Sequence, residues 1–337
     1  MKAEQSSLYG ADVSGLICGF RFTQAGKGQV VGTQEALEGL LSKDDEDSFY
    51  WLHFNLAHAA TEKWMRDNLH LTDLFHESLR DGSRTTRVEL DDDTLVAVVN
   101  DVSYDFDFEP SDISTLWLSV GRRLMVSARM QPLRSIDRLR DAVRRGEPMR
   151  SPVELLVHLM HDQGDVLVNI VRSSTARVDD IEDRLLAGRL VTNRAKLGML
   201  RRVLIRLQRL LAPEPAALFR LLRKPPDWIE EEDSQDLRQS TEEFNLALSD
   251  MAALQERIKL LQEDIAARVA EANNRSLFTL TIVTVLALPI NMIAGLMGMN
   301  VGGIPWADHP YGFWLVVAIV VSFTAVAGYI AYRHSRE

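Results

Sequence analysis

The 337-residue sequence contains one cysteine, Cys18, so no intrachain disulfide can form, which fits a reducing compartment. No apolar stretch with a cleavage site follows the polar start MKAEQSSLYGAD, so export on a signal peptide is not expected. A Gly-rich phosphate loop, a GxSxG elbow and an HExxH pair are all missing, and with them the common signatures of enzymes. Positive charge is in deficit: 38 Lys and Arg stand against 48 Asp and Glu, a net charge of −10. That balance argues against a nucleic-acid partner and for a surface that attracts cations. A hydrophobic content of 46% excludes a disordered chain, and the length suggests two domains of about 150 residues each.

The mean hydropathy of −0.09 describes an ordinary soluble protein, but it averages over two very different regions. Residues 277–297 (LFTLTIVTVLALPINMIAGLM) and 313–332 (FWLVVAIVVSFTAVAGYIAY) contain no charged residue. Each is long enough to cross a bilayer as a helix, which takes about 20 apolar residues. The loop between them, residues 298–312, has no Lys or Arg, whereas Arg268 and Arg275 precede the first span and Arg333 and Arg336 follow the second. This bias places both termini in the cytoplasm and the loop outside. Trp306, Tyr311, Trp314 and Tyr332 stand near the span ends, where amphipathic rings favour the membrane interface.

Ahead of the spans, residues 1–150 read as a cytoplasmic α/β domain. Strand patterns occur at 16–22, 49–56, 95–104, 113–120 and 122–128, and helical patterns at 33–41, 60–69, 73–81 and 133–145. Residues 151–276 read as helical: 152–186, 193–211, a break at Pro213, Pro215, Pro225 and Pro226, then a stalk helix from near Ser234 running into the first span. Along the stalk Phe244, Met251, Ile258 and Ile265 recur every seven residues, with Ala247, Leu254 and Leu261 between them, the pattern of a long packed helix. A basic stretch (Arg194 to Lys224) is followed by an acidic one (Asp227 to Glu243). The first suits nucleic acid or lipid headgroups and the second suits cations, while mutual pairing between helices or subunits accounts for both.

Stepping by three and four along the first span gives Asn274, Leu277, Thr281, Thr284, Leu288, Asn291, Gly295 and Gly298, a seam that collects most of its polar side chains. Amides and hydroxyls in hydrocarbon require partners or water, so the seam is expected to face other helices or a wet lumen. Pro289 frees the carbonyl of Val285 within the span. Two helices cannot enclose a pathway, so transport requires an oligomer. Neither span carries Asp, Glu or His. A lining of neutral oxygens suits an ion that keeps much of its water, with modest intrinsic selectivity.

Gly298-Met299-Asn300 ends the first of these two spans, nine residues after Pro289 and behind a large acidic α/β domain. In this arrangement the chain resembles, over essentially its whole length, the CorA family of divalent cation transporters. Val301-Gly302-Gly303-Ile304-Pro305, the WLHFN segment at 51–55 and the SxR ending at 127–129 resemble the ZntB zinc-transport branch. The magnesium branch usually has an aromatic residue after the triplet and a Pro-Glu in the loop, where this chain has Val301 and Pro305-Trp306.

The resemblance implies an α+β cytoplasmic domain, an α/β/α sandwich, with a long stalk helix and two C-terminal spans, assembled as a homopentameric funnel in the bacterial inner membrane. It implies no cofactor. The cargo would be zinc, with magnesium, cobalt, nickel and cadmium as further candidates. Asn300, with Gly298 and Met299, would hold the incoming hydrated ion at the outer mouth. Asn291 and Gly295 would line the upper pore, and Leu288, Thr284, Thr281, Leu277 and Asn274 the lower pore. The segments would be 277–297 (first span), 298–312 (periplasmic loop), 313–332 (second span) and 333–337 (cytoplasmic tail).

Outside the pore, His158, His161, Asp162 and Asp165 fall at spacings that can share one helix face and hold a transition metal; a solvated helix face explains them equally well. Asp308 and His309 in the outer loop could attract ions. His53, His58, His70 and His76 are weaker candidates, and Cys18 reads as a small apolar strand residue. The rival readings are a magnesium or cobalt channel of the same fold and a membrane-tethered metal sensor that conducts nothing.

Overall fold

The structure, a computed structural model, describes residues 11–23, 26–42, 47–82, 85–103, 113–187, 193–299 and 309–334. The chain divides into two compact units, Met1–Gln262 and Glu263–Glu337. The first unit opens with β1 (Leu16–Phe22), β2 (Gly28–Val30), α1 (Thr33–Leu41), β3 (Phe49–Asn55), α2 (Thr61–Asn68) and α3 (Asp73–Arg80). It continues with β4 (Arg87–Asp91), β5 (Thr94–Val102), β6 (Ile113–Val120), β7 (Leu124–Arg129) and α4 (Arg134–Arg144). The helices α5 (Pro152–Leu186), α6 (Asn193–Leu211) and α7 (Pro213–Leu221) follow, and α8 (Glu231–Met297) begins in this unit. The second unit contains the end of α8 and α9 (Gly312–His334).

The seven strands form one sheet in the order β2-β1-β3-β7-β6-β5-β4. Neighbouring strands are antiparallel except β3 and β7, which run parallel. Strand alternation sorts side chains to two faces. Tyr50, Leu52 and Phe54 of β3 join Val96, Val98, Trp117 and Val126 in a core closed by Ala36 of α1, Met65 of α2 and Phe75 of α3. On the other face Arg129 of β7 meets Asp137 of α4, and Ser135 of α4 donates to Asp101 of β5. Helices therefore cover both faces, and the α/β/α sandwich expected from the sequence is present.

Two short strands lie outside the expected set. β2 is three residues long and mostly exposed. β4 is polar and joins β5 through Asp92 and Asp93, both at positive φ (47° and 61°). Asp tolerates this left-handed conformation better than most residues, which allows a two-residue hairpin turn without glycine.

α5 starts where the sequence indicates: Ser151 caps it by accepting from Glu154 N at 3.0 Å, with Pro152 in the first turn. The helix breaks at Ala212, just before Pro213 as the sequence indicates, but the chain resumes at once as α7, with Pro215 inside it. Pro213 opens α7, because proline costs nothing in a first turn whose N–H groups lack helical acceptors; only Pro225 and Pro226 fall in a non-helical connection. α8 starts three residues before Ser234, at Glu231. Its Phe244, Met251, Ile258 and Ile265 are all buried, as the heptad spacing predicts.

The acidic stretch pairs with another partner than its basic neighbour. Arg150, just before α5, gathers Glu154, Glu232, Asp233 and Asp236, the last at 2.8 Å. Ser151 Oγ also donates to Asp233. One guanidinium thus ties the start of α5 to the start of α8.

Candidate ion pathway

Among the described residues, two helices are long and apolar enough to cross a membrane, α8 through its C-terminal part and α9. The outer half of α8 has two different faces. Ile282, Leu286, Pro289, Ile290 and Ile293 are half-buried. At 100° per residue they centre on the side of the helix opposite the seam of Leu277, Thr281, Thr284, Leu288, Asn291 and Gly295. Every seam residue from Asn274 to Gly298 is exposed in the single chain, Leu277 and Leu288 by more than 60%. α9 has a matching half-buried stripe at Val316, Val317, Val320, Thr324 and Ala327. The polar seam therefore points away from the face that α8 buries within its own unit.

The seam hydroxyls have a defined polarity. Thr281 Oγ1 donates to Leu277 O and Thr284 Oγ1 to Leu280 O, both at 2.8 Å. Each hydroxyl proton is thereby satisfied within the helix, and the remaining lone pairs face outward as acceptors. Such oxygens suit the water protons of a hydrated cation rather than an anion. Past Met297 the helix ends in a turn at Gly298, whose N–H donates to Ala294 O at 3.0 Å. A Cβ at Gly298 would lie 3.1 Å from that same carbonyl oxygen, so the turn leaves little room for a side chain. Met299 is exposed. Asn300 and Asp308 lie outside the described residues. His309 caps the entry to α9: its Nδ1 accepts from Tyr311 N at 3.3 Å and its carbonyl from Gly312 N at 2.9 Å.

The four metal candidates on α5 do not converge. His158 places Nε2 at 3.2 Å from Glu147 and Nδ1 at 3.4 Å from Asp162, whereas His161 turns to Glu243 of α8 at 3.4 Å. Asp165 is exposed. The Asp162 and Glu147 carboxylates hold the His158 pKa above its ordinary value, which favours the protonated ring over the neutral ligand a metal needs. Among the described residues no three His, Cys, Asp or Glu side chains are arranged to hold a metal ion. His58 Nδ1 accepts from Ala60 N at 3.4 Å.

Two buried polar groupings stand apart from the pathway. The parallel register of β3 and β7 sets His53 beside Ser127 and Asn55 beside Arg129, so the WLHFN and SxR segments are spatial neighbours. Trp51 Nε1 donates to Ser127 Oγ at 2.8 Å, and His53 Nδ1 lies 2.8 Å from the same oxygen. Arg129 Nε donates to His53 Nε2 at 2.9 Å. Because arginine can only donate, Nε2 must be the unprotonated nitrogen. Burial, with the Arg129 charge second, holds the His53 pKa well below its ordinary value. Cys18 lies on the same sheet face, and burial pushes its thiol up to about 12, which makes it unreactive.

The second grouping was not legible in the sequence. Glu214 on α7 is fully buried, neither carboxylate oxygen is hydrogen-bonded among the described residues, and burial, with Asp101 second, pushes its pKa well above the ordinary range. Asp101, also buried, is raised to about 6 by burial, against hydrogen bonds from Val102 N, Ser135 N and Ser135 Oγ. The only clue to Glu214 is a Pro-Glu-Pro in a leucine-rich stretch.

Comparison with known proteins defines the class: a membrane transporter of divalent cations, not an enzyme. Residues 46–333 match the family model described as CorA-like Mg2+ transporter protein, and the chain belongs to that family. It is 29% identical over 312 residues to the divalent cation transporter CmaX of Pseudomonas aeruginosa, covering 92% of this chain and 93% of that one. It is 26% identical over 292 residues to the zinc transport protein ZntB of Yersinia enterocolitica, covering 85% and 87%. Among solved structures, full-length CmaX superimposes with a TM-score of 0.80 at 27% identity, covering 97% of this chain and 99% of that one. The complete CorA magnesium transporter of Methanocaldococcus jannaschii gives 0.75 at 20% identity, covering 93% and 96%, a likeness of fold.

Proposed function

We propose that this chain forms a homopentamer in the bacterial inner membrane, with both termini cytoplasmic, and passes divalent cations, zinc foremost, as hydrated ions along its axis. The seam from Asn274 through Leu277, Thr281, Thr284, Leu288, Asn291 and Gly295 lines the path, and Gly298, Met299 and Asn300 form the outer mouth with Asp308 and His309 nearby. One observation carries this reading: the polar seam of α8 lies opposite the stripe that α8 buries in its own unit, so it is free to face an axis shared with other copies. Zinc is favoured by the likeness to zinc transport proteins and by Val301 after the triplet. A second reading, magnesium with cobalt, draws on the uncharged spans, since hydroxyl and amide oxygens do not select a soft-ligand metal.

The test is uptake of radioactive zinc and magnesium into liposomes containing the full chain. Zinc flux above magnesium flux is expected; magnesium flux without zinc flux would sink the zinc assignment, and no flux of either would leave the non-conducting sensor. Asn300→Ala is expected to lower flux by about tenfold or more, roughly 1.4 kcal/mol of barrier, with the oligomer intact. Wild-type flux in that variant would remove Asn300 from the pathway.

A further inference from the structure

α6 contains six basic residues and no acidic one in its 19 positions. Its apolar face, from Leu197 through Leu204 to Leu211, is buried in its own unit. The opposite face is not: Met199 and Ile205 are 53% and 43% exposed, and Arg202 and Arg209 stand exposed beside them. On this face Arg202 and Arg209 lie at the centre with Met199 and Ile205 to either side, and α6 has no acidic residue, so the face cannot pair with a copy of itself: a two-fold contact would bring like charges together.

The first unit also contains a complementary surface. Glu242, Leu246, Ser249, Ala253, Glu256 and Leu260 of α8 follow one another at steps of four and three, and all six are exposed. Leu246 and Leu260, at 66% and 56%, are the apolar centres, and the carboxylates lie on the same stripe. The other heptad face of α8, at Phe244, Met251 and Ile258, is already buried. Glu256 pairs with Lys259 of its own helix, at 3.0 Å on the surface, a pair of the kind that contributes little and exchanges readily.

We infer that the exposed basic face of α6 docks on the exposed acidic stripe of α8 in a second copy of this chain. The contact joins two different surfaces, so each copy donates one and accepts the other. Such head-to-tail contacts generate rings where the rotation between copies closes, whereas self-complementary ones stop at dimers. This rests on the oligomeric reading above and adds the surfaces that build it.

The test uses the full-length chain in detergent and in nanodiscs, with mass read by light scattering and native mass spectrometry. Arg202→Glu with Arg209→Glu is expected to shift the mass to smaller species, as is Glu242→Arg with Glu256→Arg, and all four together are expected to restore the ring. Wild-type mass in both double variants would overturn the interface; if mass is unchanged while recovery in anionic-lipid nanodiscs falls, the face belongs to lipid headgroups instead. Cross-linking guards against misfolding. Ile205→Cys with Ala253→Cys is expected to give a ladder of disulfide-linked species on oxidation, and Cys18, buried with its thiol pushed up to about 12, will not contribute. No ladder, or a dimer from Ile205→Cys alone, would overturn the proposal. A monomeric wild type sinks the oligomeric reading itself, whereas an oligomeric wild type without the ladder sinks only this interface.

Discussion

Among the described residues the buried Glu214 carboxyl has no hydrogen-bond partner, so none of them would support an ionised group in that place. The folded chain therefore keeps it protonated over a wider pH range than the unfolded chain does. The sign follows from linkage: a raised folded pKa contributes stability that is full below the ordinary glutamate range and is lost as pH rises through the folded value. Asp101 adds the same trend between its ordinary value of 3.8 and about 6. Glu214→Gln keeps the shape and removes the titration. It is expected to raise the melting midpoint of the full chain at pH 8 relative to wild type and to leave it unchanged near pH 4.5. A midpoint lowered equally at both pH values would mean that the carboxyl makes contacts of its own. Little of this was legible in advance, since burial of a glutamate depends on where α7 lands, and no local pattern encodes that. His53 is the converse case. Its segment was conspicuous in the sequence as a family marker, but its partners Ser127 and Arg129 lie more than 70 residues away, across the parallel β3–β7 pair.

Elements with a buried face were the legible ones. β1, β6, α1, α5 and α6 have the bounds that periodicity indicates, because alternating or heptad apolar residues are the cause of their burial. β4 was missed because it is polar and bounded by Asp92 and Asp93 rather than Asn-Gly, and the short α7 was hidden within the proline-marked break because proline in a first helical turn is favourable. On α8 the two heptad faces make opposite predictions. Phe244 is fully buried, and Phe244→Ala is expected to destabilise the first unit by about 3–5 kcal/mol through loss of burial and the cavity left behind. Leu246, two residues on and 66% exposed, is expected to change subunit stability by only about 0.5 kcal/mol or less when replaced by Ala. Thermal unfolding of both variants checks this, and similar losses would contradict the assignment of one face to the core and the other to solvent or a neighbour.

For the molecule as a whole, the question is how an uncharged path can favour cations. In the proposed pentamer, five chains at −10 each would raise cation concentration by their field before any ion reached the membrane. Along the proposed path the polarity would come from neutral groups, and Thr281 and Thr284 are suited to supply it because their protons are already given to Leu277 O and Leu280 O. Five copies would present two rings of outward lone pairs to the water shell of an ion. Valine is nearly isosteric with threonine but offers a methyl there, so Thr281→Val with Thr284→Val is expected to cut divalent flux by about tenfold or more, corresponding to roughly 1.4 kcal/mol of barrier, without changing the mass of the assembly. The double serine variant, which keeps the hydroxyls, is expected to conduct normally. Thr324→Val is the matched control: Thr324 makes the same internal bond, to Val320 O at 2.8 Å, but sits on the half-buried stripe of α9. Liposome flux assays on the three variants decide the matter. Equal losses in the Thr324 and Thr281/Thr284 variants would trace the effect to helix packing, whereas loss confined to the latter places the two hydroxyl rings along the ion's path.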